Sequence, residues 1–83
     1  MEFKLLISPK ANSFLKKLDK KNHDRLRKKF YELKINPELG KPLTGKLAGL
    51  WSLRAGDYRA IYQIRQGELV ILILRIGHRK NIY

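Results

Sequence analysis

The sequence predicts an α+β domain in which a two-helix hairpin packs on one face of a small, mainly antiparallel sheet. Three observations predict it. Apolar residues recur at helical spacing in the first half, three strand-like runs with turn signals fill the second half, and a strand-like heptapeptide precedes both. The resulting order is β-α-α-β-β-β, followed by a short tail, "GHRKNIY". At 83 residues the chain is expected to form one domain, residues 1–83, with a thin core.

The opening run Glu2 to Ser8, "EFKLLIS", reads as a strand. Ser8 followed by Pro9 has the form of a helix N-cap with proline in the first turn. Ala11, Phe14, Leu15 and Leu18 then lie on one helical face. "DKKN" breaks this helix, and Asn22 is the expected cap of a second, whose apolar face is Leu26, Phe30 and Leu33. That helix should stop near Asn36, because Pro37 disfavours helical geometry in the residue before it. Residues 37–49, "PELGKPLTGKLAG", form a connector rich in glycine and proline.

Beyond the connector come Leu50–Ala55, Tyr58–Arg65 and Glu68–Ile76, with hairpin turns at Gly56-Asp57 and Gln66-Gly67. A two-residue turn at Gly67 pairs Arg65 with Glu68, Tyr62 with Ile71 and Ala60 with Ile73. The first turn pairs Ala55 with Tyr58 and Arg54 with Arg59. One face then collects Trp51, Leu53, Ala60, Tyr62, Ile64, Leu69, Ile71 and Ile73, and belongs against the helices. Arg75 falls on that face too, paired with a carboxylate. The other face carries Ser52, Arg54 and Arg59. Like charges directly opposite on a ladder repel, so the Arg54–Arg59 pair calls for an anion between them. Phosphate suits a guanidinium best, because the planar fork binds its oxygens two at a time.

Composition narrows the chemistry. Nineteen Lys and Arg stand against seven Asp and Glu, a formal net charge of +12, which points to a polyanionic partner. The lysines on helix faces read as solvated surface; Arg54, Arg59, Arg75 and Arg79 in the strand-rich half carry more information. The absence of cysteine excludes disulfides, thiolate zinc sites and thiol nucleophiles. No apolar run reaches membrane-spanning length and the start lacks a signal-peptide pattern, so a cytoplasmic, unprocessed protein without a membrane partner is expected.

There is no phosphate-binding GxxxxGK[ST] loop, no carboxylate pair at useful spacing and no cluster fit for a metal, so neither metal nor cofactor is expected. Chemistry on a phosphodiester through the neighbouring 2′-hydroxyl of RNA needs none. It needs a proton acceptor, positive charge on the transition state and a proton for the departing oxygen. Arginine meets the second need, and its pKa above about 12 disqualifies it as a base. His78 and Tyr83 are the candidate proton carriers. A tyrosine pKa falls among cations, which favours Tyr83 beside Arg79, while its own α-carboxylate works the other way. Trp51, Tyr58 and Tyr62 read as core rather than as base-stacking platforms, Asp57 as a turn residue, and Arg65 with Glu68 as an ion pair beside the turn. Lys46 reads equally well as a phosphate contact and as a loop lysine.

The ordered set "LTGKLAGLWSLRAGDYRAIYQI" and "LVILILRIGHRKNIY" resembles the RelE/ParE superfamily of toxins from prokaryotic type II toxin–antitoxin modules, over the whole chain. The RelE branch of that resemblance implies a metal-independent endoribonuclease, an mRNA interferase that enters the ribosomal A site and cuts mRNA there by 2′-hydroxyl attack. It implies mRNA and ribosomal RNA as partners and a RelB-like antitoxin that neutralises the toxin. Carried over by motif, Arg54, Arg59 and Arg79 are the phosphate-binding and charge-stabilising residues and Tyr83 the general base; His78 is the better proton donor on chemical grounds. Lys46, Ser52 and Lys80 are the expected RNA and phosphate contacts around them. Ser52 stands where some members of the branch carry a lysine. Two other readings accompany the resemblance: a ParE-like, non-catalytic inhibitor of DNA gyrase, and a weakened toxin acting through antitoxin binding and operon autoregulation.

Overall fold

A computed structural model describes residues 2–82. Its elements are β1 (Lys4–Ile7), α1 (Pro9–Lys16), α2 (Lys20–Ile35), β2 (Lys41–Pro42), β3 (Trp51–Ala55), β4 (Tyr58–Arg65) and β5 (Val70–His78). The strands form one sheet in the order β1-β5-β4-β3-β2, antiparallel except where β1 runs parallel to β5. The helix pair covers one face, as its apolar spacing requires. Ala11 and Leu15 of α1 and Leu26, Phe30 and Leu33 of α2 are buried against Leu53, Ala55, Ala60, Tyr62, Ile71, Ile73 and Ile76.

The helix ends follow from short polar side chains. Ser8 caps α1: its Oγ accepts from the Ala11 N–H at 3.1 Å and donates to the Leu74 carbonyl at 2.8 Å, tying the helix start to β5. Asp19, and not Asn22, caps α2. The Asp19 carboxylate accepts from both the side chain and the backbone N–H of Asn22, which hold its pKa below the ordinary value. A carboxylate so placed satisfies an orphan helix donor, while Asn22 sits one turn too far along to do so.

The β3–β4 register is the expected one: Ala55 pairs with Tyr58, Arg54 with Arg59, Leu53 with Ala60 and Trp51 with Tyr62. Gly56 turns the chain at φ +63°, where a side chain would be strained. The β4–β5 register departs from expectation. Gln66–Glu68 form a 3-10 turn and Leu69, at φ 54°, takes the left-handed position expected of Gly67, so Arg65 pairs with Val70 rather than Glu68. The register therefore moves by two residues, and a shift of two leaves every side chain on its own face. The Arg65–Glu68 ion pair forms within the turn, at 3.8 Å.

A bulge then changes the faces of the last four residues of β5. Tyr62 pairs with Ile73 but Ile61 pairs with Arg75, leaving Leu74 as the extra residue. Ile76 is thereby turned into the core at 7% exposure, and Arg75 is turned out of it. Arg75 is exposed opposite Ile61 and pairs with no carboxylate among the described residues, which corrects its expected helix-facing position. The connector also holds structure that its composition does not foretell. Its Lys41 and Pro42 add a short edge strand to β3, pairing with Ser52 and Trp51.

Candidate functional site

The Arg54–Arg59 pair occupies the sheet face turned away from the helices, next to the β3–β4 turn. The alternation of each strand puts it there. Leu53 and Ala55 point into the core, so Arg54 points out; Ala60 points in, so Arg59 points out. Arg54 is exposed and donates from Nε to the Gly56 carbonyl at 3.2 Å. Arg59 is half-buried and donates from Nη1 to Ser52 Oγ at 3.4 Å. Ser52 is itself buried at 4% exposure and lies two residues before Arg54 on the same face of β3. Both guanidinium groups keep further N–H donors for an anion.

The tail returns to the same place. The Arg79 N–H donates to the Asp57 carbonyl at 2.8 Å, which pins the end of β5 to the β3–β4 turn. The Asn81 N–H donates to the His78 carbonyl at 2.8 Å, and the turn so made carries Ile82 back over Gly77. Ile82 is buried at 2% exposure, and a Cβ on Gly77 would lie only 3.0 Å from its Cδ1. Gly77 pairs with Arg59, so the tail packs on the arginine-bearing face, where Ile61 is also buried. Arg79 and Lys80 are exposed at this end of the sheet. Tyr83, the expected base, lies outside the described residues.

Two expected site residues are not brought to this cluster. His78 pairs with Tyr58, on the helix-facing side of the bulged strand. Its ring meets Tyr58 edge-on at 5.8 Å, and Tyr58 in turn meets Phe14 of α1 at 6.0 Å. Its Nδ1 accepts from the Lys80 N–H at 3.3 Å. The bulge is the physical reason: one added residue turns His78 from the arginine face to the helix face. Lys46 lies in the 3-10 turn Gly45–Leu47 that precedes β3, at the opposite end of that strand from Arg54.

Three cations unremarkable in the sequence do reach the site. Lys29 of α2 and Lys41 of β2 line an open cavity of about 250 Å³ together with Gly40, Ser52, Arg54 and Arg59. Lys29 is 3.7 Å from Glu32, one turn along its helix. The Arg25 guanidinium lies against Gly56, where an added Cβ would come within 2.5 Å of its Nη1. Helix spacing alone marks Arg25 and Lys29 as solvent-facing, and only the docking of α2 on the sheet decides what they face.

Residues 5–83 match the family model described as the ParE toxin of the type II toxin–antitoxin system parDE. The chain belongs to the RelE/ParE superfamily of type II toxins. Within that family it is 44% identical over 55 residues to Toxin RelG of Mycobacterium tuberculosis, covering 65% of this chain and 63% of that protein. It is 46% identical over 55 residues to Toxin RelE of the same organism, over 57% of that protein's length. The match therefore spans about three fifths of those relatives. Among solved structures, this RelE/ParE member superposes on the toxin–antitoxin complex RelBE2 of M. tuberculosis with a TM-score of 0.87 and 32% identity, covering 95% of this chain and all of that one. The archaeal RelE–RelB complex from Pyrococcus horikoshii gives a TM-score of 0.79 at 28% identity, over 98% and 99% of the two chains. The α+β fold read from the sequence is the fold of these toxins.

Proposed function

We propose that this RelE/ParE toxin is a ribosome-dependent mRNA endonuclease that cuts within the A site by metal-independent attack of a 2′-hydroxyl. The observation that carries the reading is the Arg54–Arg59 pair, set directly opposite on one face with Arg79 pinned to the adjoining turn. Repulsion within such a pair costs the fold stability unless an anion occupies the gap. A phosphodiester in its pentacoordinate transition state carries the extra negative charge that this arrangement favours most.

In this reading Arg54 and Arg59 hold the scissile phosphate and Arg79 stabilises the charge that develops on it. Tyr83 takes the 2′ proton as the 2′ oxygen attacks phosphorus. The bond from phosphorus to the 5′ oxygen breaks, and that oxygen takes a proton from water, leaving a cyclic 2′,3′-phosphate and a 5′-hydroxyl. His78, with its ring on the helix side, has no part in it. Lys80 and Arg25 supplement the local positive charge. An open, shallow site of this kind leaves the shaping of the mRNA to the ribosome, which also places the toxin's work in the cytoplasm. A RelB-like antitoxin is the neutralising partner, in keeping with the toxin–antitoxin complexes in which the structural relatives are found.

The test is primer extension on mRNA programmed into ribosomes with an open A site. The wild-type protein should produce a new cut at the A-site codon, and Tyr83→Phe and Arg79→Ala should each lower it by on the order of a hundredfold or more while the fold persists. Absence of the cut with folded wild-type protein overturns the reading; variants that cut at the wild-type rate overturn the residue roles.

A further inference from the structure

The cavity beside the arginine pair is open because β2 is short. It pairs with β3 only at Trp51 and Ser52, so the stretch of β3 that carries Arg54 has no strand neighbour on that side among the described residues. Lys41 stands at this gap. It lies directly opposite Ser52 on the ladder, so its side chain projects to the face of Ser52 and Arg54, and it lines the same cavity as Arg54 and Arg59. It is exposed and pairs with no carboxylate among the described residues, whereas Lys29 across the cavity is already 3.7 Å from Glu32.

The backbone beneath Lys41 is held tightly for a loop. The Gly40 N–H donates to the Tyr62 hydroxyl at 3.0 Å, and that hydroxyl donates to the Pro37 carbonyl at 2.7 Å. Gly40 packs so closely on the Ser52 carbonyl and the Tyr62 hydroxyl that a Cβ there would overlap both. A fully buried core tyrosine thus fixes the place from which an uncompensated lysine enters a cavity already lined by two arginines.

We propose that Lys41 binds a second phosphate, the one adjoining the phosphate held by Arg54 and Arg59, so that the site takes a strand of nucleic acid across β4, β3 and β2. Lys41 and Arg59 rise from strands about 10 Å apart, two strand spacings. Neighbouring phosphates of one strand lie closer together than that, and the long lysine and arginine side chains converge on them from either side, with Arg54 between them. The ligand class is then a single strand with at least two consecutive phosphates, and a lone phosphodiester fills only half of the site. The proposal rests on the phosphate-binding reading of Arg54 and Arg59 and extends it.

The test is an NMR titration of the full chain with two non-cleavable 2′-O-methyl ligands, a dinucleotide with one phosphodiester and a hexanucleotide, at several salt concentrations. Lys41→Gln should weaken hexanucleotide binding, lower its log–log salt slope by about 0.7, and leave dinucleotide binding unchanged. Lys41→Arg should restore the slope. Arg59→Gln should weaken both ligands. If Arg59→Gln acts and Lys41→Gln does not, the second phosphate site is wrong and the parent reading stands. If Lys41→Gln weakens both ligands equally, Lys41 shares the first phosphate and the proposal fails. If Arg59→Gln changes neither ligand, or the wild-type protein binds neither, the parent reading falls and the proposal with it. The dispersion of each variant's amide spectrum reports whether it is folded.

Discussion

Arg54 and Arg59 face each other because strand alternation leaves them no other side, and Ser52, two residues before Arg54 on the same face, offers an acceptor to Arg59. A lysine at position 52 would have added a third positive charge at the same point. The serine instead orients a guanidinium, and Lys41 sits across the ladder from it. Tyr62 shows how a core residue reaches the site without touching a substrate. Its ring is offset-stacked beside Trp51, centroids 6.2 Å apart and planes tilted by 27°, while its hydroxyl holds the connector through Gly40 and Pro37. Removing that hydroxyl in Tyr62→Phe leaves the Gly40 N–H without its partner and should cost about 1–3 kcal/mol in urea unfolding. Burial pushes the Tyr62 phenol above its ordinary 10.0. The folded state then keeps a proton that the unfolded state has released. The resulting stabilisation is full below the unfolded pKa and is lost as pH rises through the folded one. Urea midpoints taken at rising alkaline pH should fall more steeply for wild type than for Tyr62→Phe.

At the scale of elements, two small devices set which face each residue joins. The first is the bulge at Leu74. Such an extra residue leaves the ladder locally broken, and here the Leu74 carbonyl accepts from Ser8 Oγ while the Ile73 carbonyl accepts from the Ser8 N–H. Ser8→Ala therefore removes a helix cap and a bulge contact together. It should lower stability by about 1–2 kcal/mol, more than a cap alone on an exposed helix, as read from urea midpoints. The second device is Gly77, whose missing side chain admits Ile82. Gly77→Val should displace the tail, so that the Asn81 amide, bonded to the His78 carbonyl, exchanges faster with solvent while β3 and β4 stay protected. Both devices lie in runs whose alternation is easily read. Gln66-Gly67 signals a turn, yet Leu69 takes the left-handed position, because the bulge and the β1 pairing set where β5 must begin. A two-residue slip in register leaves every face as strand alternation predicts, whereas the one-residue bulge reverses every face beyond Leu74, which is why Arg75 lies opposite to expectation and His78 turns toward the helices.

At the scale of the whole molecule, a net charge of +12 on 83 residues makes association with a polyanion strongly dependent on salt. Each phosphate neutralised on a single strand contributes about −0.7 to the slope of log K against log salt, so two sites and the surrounding field predict a slope steeper than about −1.4. A slope near zero in the titration series would exclude a nucleic-acid ligand. The sequence by itself determined the fold class, the helix pair and its apolar stripe, the β3–β4 hairpin and the opposed arginines. Each is a local consequence of period, turn chemistry or a cap, and such patterns are written within a few residues. Only the tertiary structure decided that Lys41 becomes an edge strand, that Arg25 and Lys29 of α2 reach the arginine end of the sheet, and that His78 turns away from it. Those outcomes depend on residues far apart in the chain: the hydroxyl of Tyr62 holding Gly40, the side chain of Ser8 meeting the Leu74 carbonyl, and α2 seated over the sheet. Long-range packing chooses among placements that local spacing leaves equal.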